Sequence, residues 1–525
     1  MDSKTQEVEA VIVGSGIAGA MLAQGLLAQG MGSVLMLEAG PPIKMADPRT
    51  WYDFVMNGNN PFAPYYDLPG DYTVEGHDPW ALDGNGSDGG RLFGAGGATL
   101  HWGGLCPRMK PDDFVPGKDS QYGIDWPYDY DTLEPYYCQA ESAVGVSGDS
   151  KQQDPPRSKP YPYVPAPFPE TEGLVITAME TLGISYEHLA ITRYATGDEE
   201  RNACMTTGTC KYCPIGGRYS ADQSLDQLAP NKKFKLLTGA PVLQVRMASK
   251  GKAAGVTYLD MASRKMMNVD AHKVFLTNGA LEIPKLLLAS RSTAWPKGVG
   301  NDADLVGRHL AASPFISVMG TLPSNPKRMV QELNFATLCS RYWDTPKDRK
   351  TGKLLIYKAP WDPMVNMAKM MNANNTSEQI AKATTGPIAM TLLGELQPLS
   401  QYENRVSLDR GTTRFGLPRT LIDTPKPIFY PESQKLFFDR IQSIFKAMGA
   451  ENLTNIVYPQ RGDHAMGTCR MSKDASTGVV NANLQVHGVD NLFVISNAVL
   501  PSTMTANPTL TMVAILKKWF AENKG

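Results

Sequence analysis

Three clusters of residues in this 525-residue sequence have types and spacings that suit chemistry. In VEAVIVGSGIAGAMLAQGL, an apolar run from Val8 to Val13 meets Gly14, Gly16 and Gly19, a GxGxxG pattern that opens a helix-period segment. Gly14 permits a tight turn, Gly16 lets backbone approach a pyrophosphate, and Gly19 allows the helix to pack closely. The positive end of that helix would face the anion. Glu38 closes the next apolar strand, SVLMLEAG, where its carboxylate would accept hydrogen bonds from a ribose diol. The pattern predicts a dinucleotide and leaves FAD and NAD open.

The second cluster is GRLFGAGGATLHWGGLCPR, in which Gly94, Gly96, Gly97, Gly103 and Gly104 outnumber what a turn requires, so backbone must pass close to something flat. The third is Cys204, Cys210 and Cys213, a C-x5-C-x2-C motif that gathers three of the seven cysteines. A structural zinc takes four protein ligands and no fourth Cys or His is near, whereas iron–sulfur clusters are held by thiolates alone. Three free thiols in a surface loop are the competing reading.

The elements that must position these groups follow from the pattern. Strand, glycine turn, helix and strand give a βαβ unit at the start. HKVFLTNGALEIPKLLLAS repeats strand, turn and helix later in the chain and is expected to rejoin the first sheet, because parallel strands need crossovers. The runs FKLLTG, APVLQVRMAS and AAGVTYLD suggest a hairpin region between them. PFISVMGTL, GPIAMTLLGEL and RVSLDR alternate like antiparallel strands. The expected fold is α/β: a discontinuous Rossmann-like nucleotide domain from 1–314 and 461–525, and a substrate domain at 315–460 built on an antiparallel sheet with helices. Residues 41–90 read as covering loops and 200–220 as a cysteine-rich loop.

Composition narrows the partners. With 51 basic against 52 acidic side chains and no long basic run, nucleic acid and anionic membrane surfaces are not expected partners. Apolar stretches are broken before eighteen residues, so an integral membrane protein is not expected either. MDSKTQEVEA runs into a strand without a signal-peptide core, which predicts a cytoplasmic chain or one exported to the periplasm with a partner subunit.

GGATLHWGG, FLTNGALEIPKLLLAS, VGRHL and HAMGTCRM, with the later GVVNANLQVHGVDNLFVISNAVLPSTMTANPTLT, resemble the glucose-methanol-choline oxidoreductases, flavoenzymes that oxidise alcohols. The resemblance covers the first 130 residues, 270–310 and 460–525, and is nearest to bacterial sugar or glycoside dehydrogenase large subunits and to pyranose oxidases. It implies FAD as cofactor, a sugar or glycoside as substrate, and His464 and Asn507 as the catalytic pair. A base must take the hydroxyl proton while hydride leaves the same carbon, and an imidazole with pKa near ~6.5 suits that task. Asn507 also precedes Pro508 and Thr509, a favoured helix start, so it doubles as an expected cap. Gly96, Gly97, Val242, Asn497, Pro508 and Thr509 are implied cofactor contacts. His101 stands where some relatives bind FAD covalently, with a simple hydrogen bond to the flavin as the alternative. The cysteine loop is similar to one that holds a three-iron cluster, which implies electrons passed to a cytochrome or quinone and a small-subunit partner. A dioxygen-using, pyranose-oxidase-like enzyme and a dehydrogenase of non-sugar alcohols remain alternatives. Trp343, Tyr357 and Trp361 are candidate stacking surfaces for a sugar ring.

Overall fold

The computed structural model describes residues 6–524 other than 44, 46, 83–89, 118–119, 199–200, 324–335, 360–362 and 386, with the side chains of 363–366 and 384–385 also left out. The apolar run at the start forms the strand Gln6–Val13 inside a seven-stranded sheet, where neighbours on both faces explain why its sequence does not alternate. Across that sheet the order is Phe234–Leu237, Val34–Leu37, Gln6–Val13, Lys265–Leu276, Lys252–Asp260 and Val242–Ser249. Leu492–Val494 also pairs, in parallel, with Lys265–Leu276. Gln6–Val13 runs parallel to both its neighbours, so the later strand does rejoin the sheet begun at the start. Val242–Ser249 and Lys252–Asp260 form the expected hairpin, while Phe234–Leu237 pairs elsewhere, in parallel with Val34–Leu37.

The second sheet is antiparallel and six-stranded, in the order Glu451–Val457, Phe315–Leu322, Ile388–Leu396, Leu354–Lys358, Leu338–Trp343 and Glu187–His188. Val175 and Met179 of helix Glu170–Thr181 share its core with Ile316, Leu392, Phe437 and Ile441. The layer built on this sheet therefore draws on residues outside 315–460: a helix and an edge strand from the preceding segment complete it. Conversely, Arg405–Thr412 and Pro418–Thr424 leave that layer and build a three-stranded sheet with Tyr72–Gly76.

The covering region at 41–90 is more ordered than a run of loops. Helix Pro48–Asn57 starts at Asp47, whose carboxylate accepts from the Thr50 amide at 3.2 Å, and ends at Gly58 in the left-handed conformation. An Asp-Pro start and a Gly stop were both legible there and outweighed by the surrounding Pro and Asn. No helix among the described residues is long and apolar enough to cross a membrane.

Candidate active site

A cavity of about 610 Å³ lies where the turns that follow Gln6–Val13 and Lys265–Leu276 meet the second sheet, which contributes Phe315, Tyr357 and Leu393. Gly14, Gly16 and Glu38 line it. Gly14 has φ +98°, and a Cβ there would come within 2.8 Å of Asn278 Cα. Gly19 does not line the cavity; a Cβ on it would collide with the Gly14 carbonyl oxygen, so it serves helix packing. A Cβ on Gly16 would touch no protein atom and would stand in open space, directly in front of the helix Ile17–Ala28. That helix has no side-chain cap and no acidic residue in its first turn, which leaves its amides and its positive end to an anion such as a pyrophosphate. Glu38 accepts from Ser15 N at 3.1 Å, Ser15 Oγ at 2.7 Å and Gly40 N at 2.9 Å. Burial raises its pKa against these bonds, and its remaining lone pairs suit a ribose diol.

The second glycine cluster forms the facing wall. Gly96 and Gly97 both have positive φ, +104° and +57°, and a Cβ on Gly97 would sit 3.0 Å from Gly16 Cα, so the two glycine loops touch. Gly97 lines the cavity and Gly96 does not. His101 lines it too, 4% exposed, between the rings of Phe62 and Tyr66. Neither of its ring nitrogens has a hydrogen-bond partner. Burial pushes its pKa down to about 4, against the pull of Asp463, so the ring is neutral and at least one nitrogen is a bare acceptor. Buried polar atoms without partners await a ligand. Asn278, Asn497 and Asn507 add three more such side-chain oxygens around the same cavity. The glycine cradle, the uncapped helix and these orphaned groups fit FAD.

His464 sits on the turn Gly462–His464, just after Gln460–Arg461 pairs with Trp80–Ala81. Downstream, backbone bonds of 2.8 Å from Cys469 to Ala498 and 2.7 Å from Met471 to Val499 knit its segment to that of Asn497. Asn507 follows a stretch pinned from three sides: Trp126 donates to Ser502 at 2.6 Å, Gln397 to the Thr503 carbonyl at 2.7 Å, and Thr505 to buried Asp344 at 2.8 Å. These anchors bring Asn507 Nδ2 to 3.2 Å from His464 Nε2. The helix Thr509–Glu522 is capped by Pro508 with no side-chain bond, so Asn507 is not its cap; its amide is turned to the histidine instead. Thr509 lines the cavity and Pro508 does not, while Val242 and Asn497 do.

Sequence reasoning missed Glu395. It shares with Leu393 the cavity-facing side of Ile388–Leu396, is fully buried, and brings Oε1 to 3.0 Å from His464 Nδ1. Burial opposes the imidazolium, but the carboxylates of Asp463 and Glu395 outweigh it and hold His464 above the ordinary histidine value. The Glu395 carboxylate stands at ion-pair distance from Nδ1, without hydrogen-bond alignment, and its charge favours the proton on that nitrogen, while the donor Asn507 Nδ2 faces Nε2 as an acceptor. The available signal was a lone Glu on the inward face of an otherwise apolar strand.

Cys204, Cys210 and Cys213 line one adjoining cavity of about 20 Å³, and all are half-buried. Among the described residues no group of three Cys, His, Asp or Glu is placed to hold a single metal ion, and the structure lends the expected three-iron cluster no support beyond the convergence of the three cysteines. The loop is instead tied to the flavin wall: buried Arg218 donates to Cys210 O at 3.0 Å, Thr99 O at 2.8 Å and Leu100 O at 3.0 Å. Of the stacking candidates, Tyr357 lines the main cavity, Trp343 packs away from it against Tyr342 and Arg440, and Trp361 lies outside the described residues.

A dinucleotide cradle sharing one cavity with a tuned His–Asn pair defines a cofactor-dependent oxidoreductase. The chain belongs to the GMC oxidoreductase family, the FAD-binding flavoproteins that its motifs resemble, matching the N-terminal part over residues 95–314 and the C-terminal part over 433–515. It is 26% identical to the fructose dehydrogenase large subunit of Gluconobacter japonicus, across 98% of this chain and 97% of that protein. It is 29% identical to the 6'''-hydroxyparomomycin C oxidase of Streptomyces lividus, across 96% of this chain and 89% of that one. Among solved structures, pyridoxine 4-oxidase from Mesorbium loti superposes with a TM-score of 0.66 at 18% identity over 98% of this chain and 99% of that one. Formate oxidase gives a TM-score of 0.67 at 16% identity over 99% of each chain.

Proposed function

We propose that this protein oxidises a hydroxyl of a sugar or glycoside, with His464 as the base that receives the hydroxyl proton. The carrying observation is the chain Asn507 Nδ2, His464 Nε2, His464 Nδ1, Glu395 Oε1, spaced at 3.2 Å and 3.0 Å across its two contacts. FAD bound in the cavity supplies the hydride acceptor. A substrate hydroxyl takes the place of the Asn507 amide at Nε2: its proton points to that lone pair and its oxygen accepts from Asn507 Nδ2. Glu395 and Asp463 then stabilise the imidazolium that forms, so the proton stays on Nε2 while hydride departs. Tyr357 and Phe315 give the ring an apolar surface to lie on.

The sugar assignment is supported by relatives acting on a ketose and on an aminoglycoside. Similarity to the fructose dehydrogenase large subunit over nearly the whole of both chains also favours an external electron acceptor and a small-subunit partner over dioxygen. We extend the proposal to a covalent bond between His101 and FAD: a ring nitrogen would replace one hydrogen on a methyl carbon of the flavin ring, the hydrogen leaving as a proton and the two electrons passing through the flavin to the enzyme's electron acceptor, and the unpartnered nitrogens of a neutral, buried ring support it.

The test is anaerobic mixing of the flavoprotein with D-fructose, D-glucose, methyl glucosides and simple aliphatic alcohols. Sugars bleach the flavin, and His464→Ala slows bleaching by about 10²–10⁴-fold while FAD content is unchanged. Bleaching by aliphatic alcohols alone overturns the sugar assignment, and in a parallel aerobic assay peroxide formed as fast as dye is reduced overturns the acceptor assignment.

A further inference from the structure

Lys211 stands between the cysteines at 210 and 213, on the short turn Cys210–Tyr212, yet its side chain lines the cavity of His464 and Asn507. The turn is held firmly. Tyr212 is buried against Phe54 and Phe62, and Arg218 grips the Cys210 carbonyl. Arg461 reaches the same cavity from the catalytic segment, its guanidinium 4.6 Å from the Phe315 ring centre and 3.0 Å from Asp463. Phe315 in turn lies 5.3 Å, ring centre to ring centre, from His464. One buried donor and one buried acceptor of this set therefore stand close to the reacting centre with hydrogen-bonding capacity unused. Arg461 Nε and Asp463 Oδ1 have no hydrogen-bond partner.

We infer that Lys211 and Arg461, with Asp463 between them in charge, hold an oxygen-rich group of the substrate remote from the carbon being oxidised, either ring hydroxyls or a carboxylate. This deepens the sugar reading above and rests on it. Ammonium and guanidinium groups donate to any sugar oxygen, and Asp463 accepts from a hydroxyl, so the trio recognises polyols and rejects plain hydrocarbons. It also gives the cysteine loop a role independent of any metal: it carries one wall of the substrate pocket.

The experiment uses holoenzyme with D-glucose and D-gluconate as probes, reading flavin difference spectra for binding and anaerobic bleaching for turnover. Lys211→Met is expected to raise the half-saturating concentration about tenfold to a hundredfold, with the limiting bleaching rate changed by no more than about threefold and FAD content unaltered. Lys211→Arg restores tight binding. A larger loss for gluconate than for glucose identifies a carboxylate as the held group, and equal losses identify hydroxyls. Unchanged saturation in Lys211→Met, or a loss confined to the limiting rate or to FAD content, overturns the inference alone. A parent enzyme that neither binds nor is bleached by either probe overturns the sugar reading together with it.

Discussion

Glu395→Gln separates the charge behind His464 from the shape around it. The amide keeps an oxygen facing Nδ1 and removes one negative charge that stands 3.0 Å away. Two unit charges at ~4 Å interact by about 4 kcal/mol at an effective dielectric constant of about 20. One opposite charge moves a pKa by about one to three units, or about 1.4–4 kcal/mol. His464 is held above its ordinary value by Asp463 and Glu395, and it accepts the substrate proton only when Nε2 is unprotonated, so flavin bleaching accelerates as pH rises through its pKa. Loss of the Glu395 charge lowers that pKa. The acidic limb of the bleaching rate therefore slides to lower pH by about one to three units, and the plateau falls about tenfold because a weaker base remains. Stopped-flow bleaching under argon, from about pH 5 to pH 9, reads both effects in one series. An acidic limb that stays in place or moves upward, in a variant with full FAD content, refutes the claim that Glu395 tunes the base.

Three other outcomes are expected. Acid precipitation of the holoenzyme should leave the yellow chromophore in the pellet, and His101→Ala should release it to the supernatant; parent FAD found in the supernatant rejects the covalent bond. Gly16→Ala, whose Cβ meets no protein atom, should leave apoprotein stability within about 0.5 kcal/mol of the parent yet weaken FAD binding at least about tenfold, whereas Gly19→Ala, which collides with Gly14, should destabilise the apoprotein itself; thermal melts and flavin titration distinguish them. All seven cysteines should titrate as thiols after denaturation of anaerobically purified protein. Stoichiometric iron in the same sample would return Cys204, Cys210 and Cys213 to a ligating role.

The parts of the site that were legible in sequence are those whose chemistry is local. Gly14, Gly16 and Gly19 act through the backbone of one turn, and each has its own reason for lacking a side chain. His464 and Asn507 carry recognisable neighbours, and their 3.2 Å contact follows from them. Glu395 and Lys211 were not read, because each belongs to a segment whose pattern speaks of something else, an alternating strand and a thiol motif, and only the assembled layers bring Lys211 to the cavity and Glu395 to His464. The same cause misplaced Trp343, aromatic in type but turned to Arg440 on the far side of its strand. The Asn507 cap failed because the helix starts one residue later than expected, with Pro508 at the cap position, so that Asn507 Nδ2 faces the imidazole while its Oδ1, the atom a cap would use, has no partner.

The strand Lys265–Leu276 lies between Gln6–Val13 on one edge and Leu492–Val494 on the other. During synthesis the first edge can form as soon as the middle strand emerges, but the second waits for almost the entire polypeptide. Asn497, Asn507 and Thr509, which close the cavity, arrive with it. Contacts so distant in sequence form slowly. A nascent chain halted anywhere before residue 490 therefore holds a glycine cradle with one wall missing, and the flavin site closes only once the segment through Thr509 has been made.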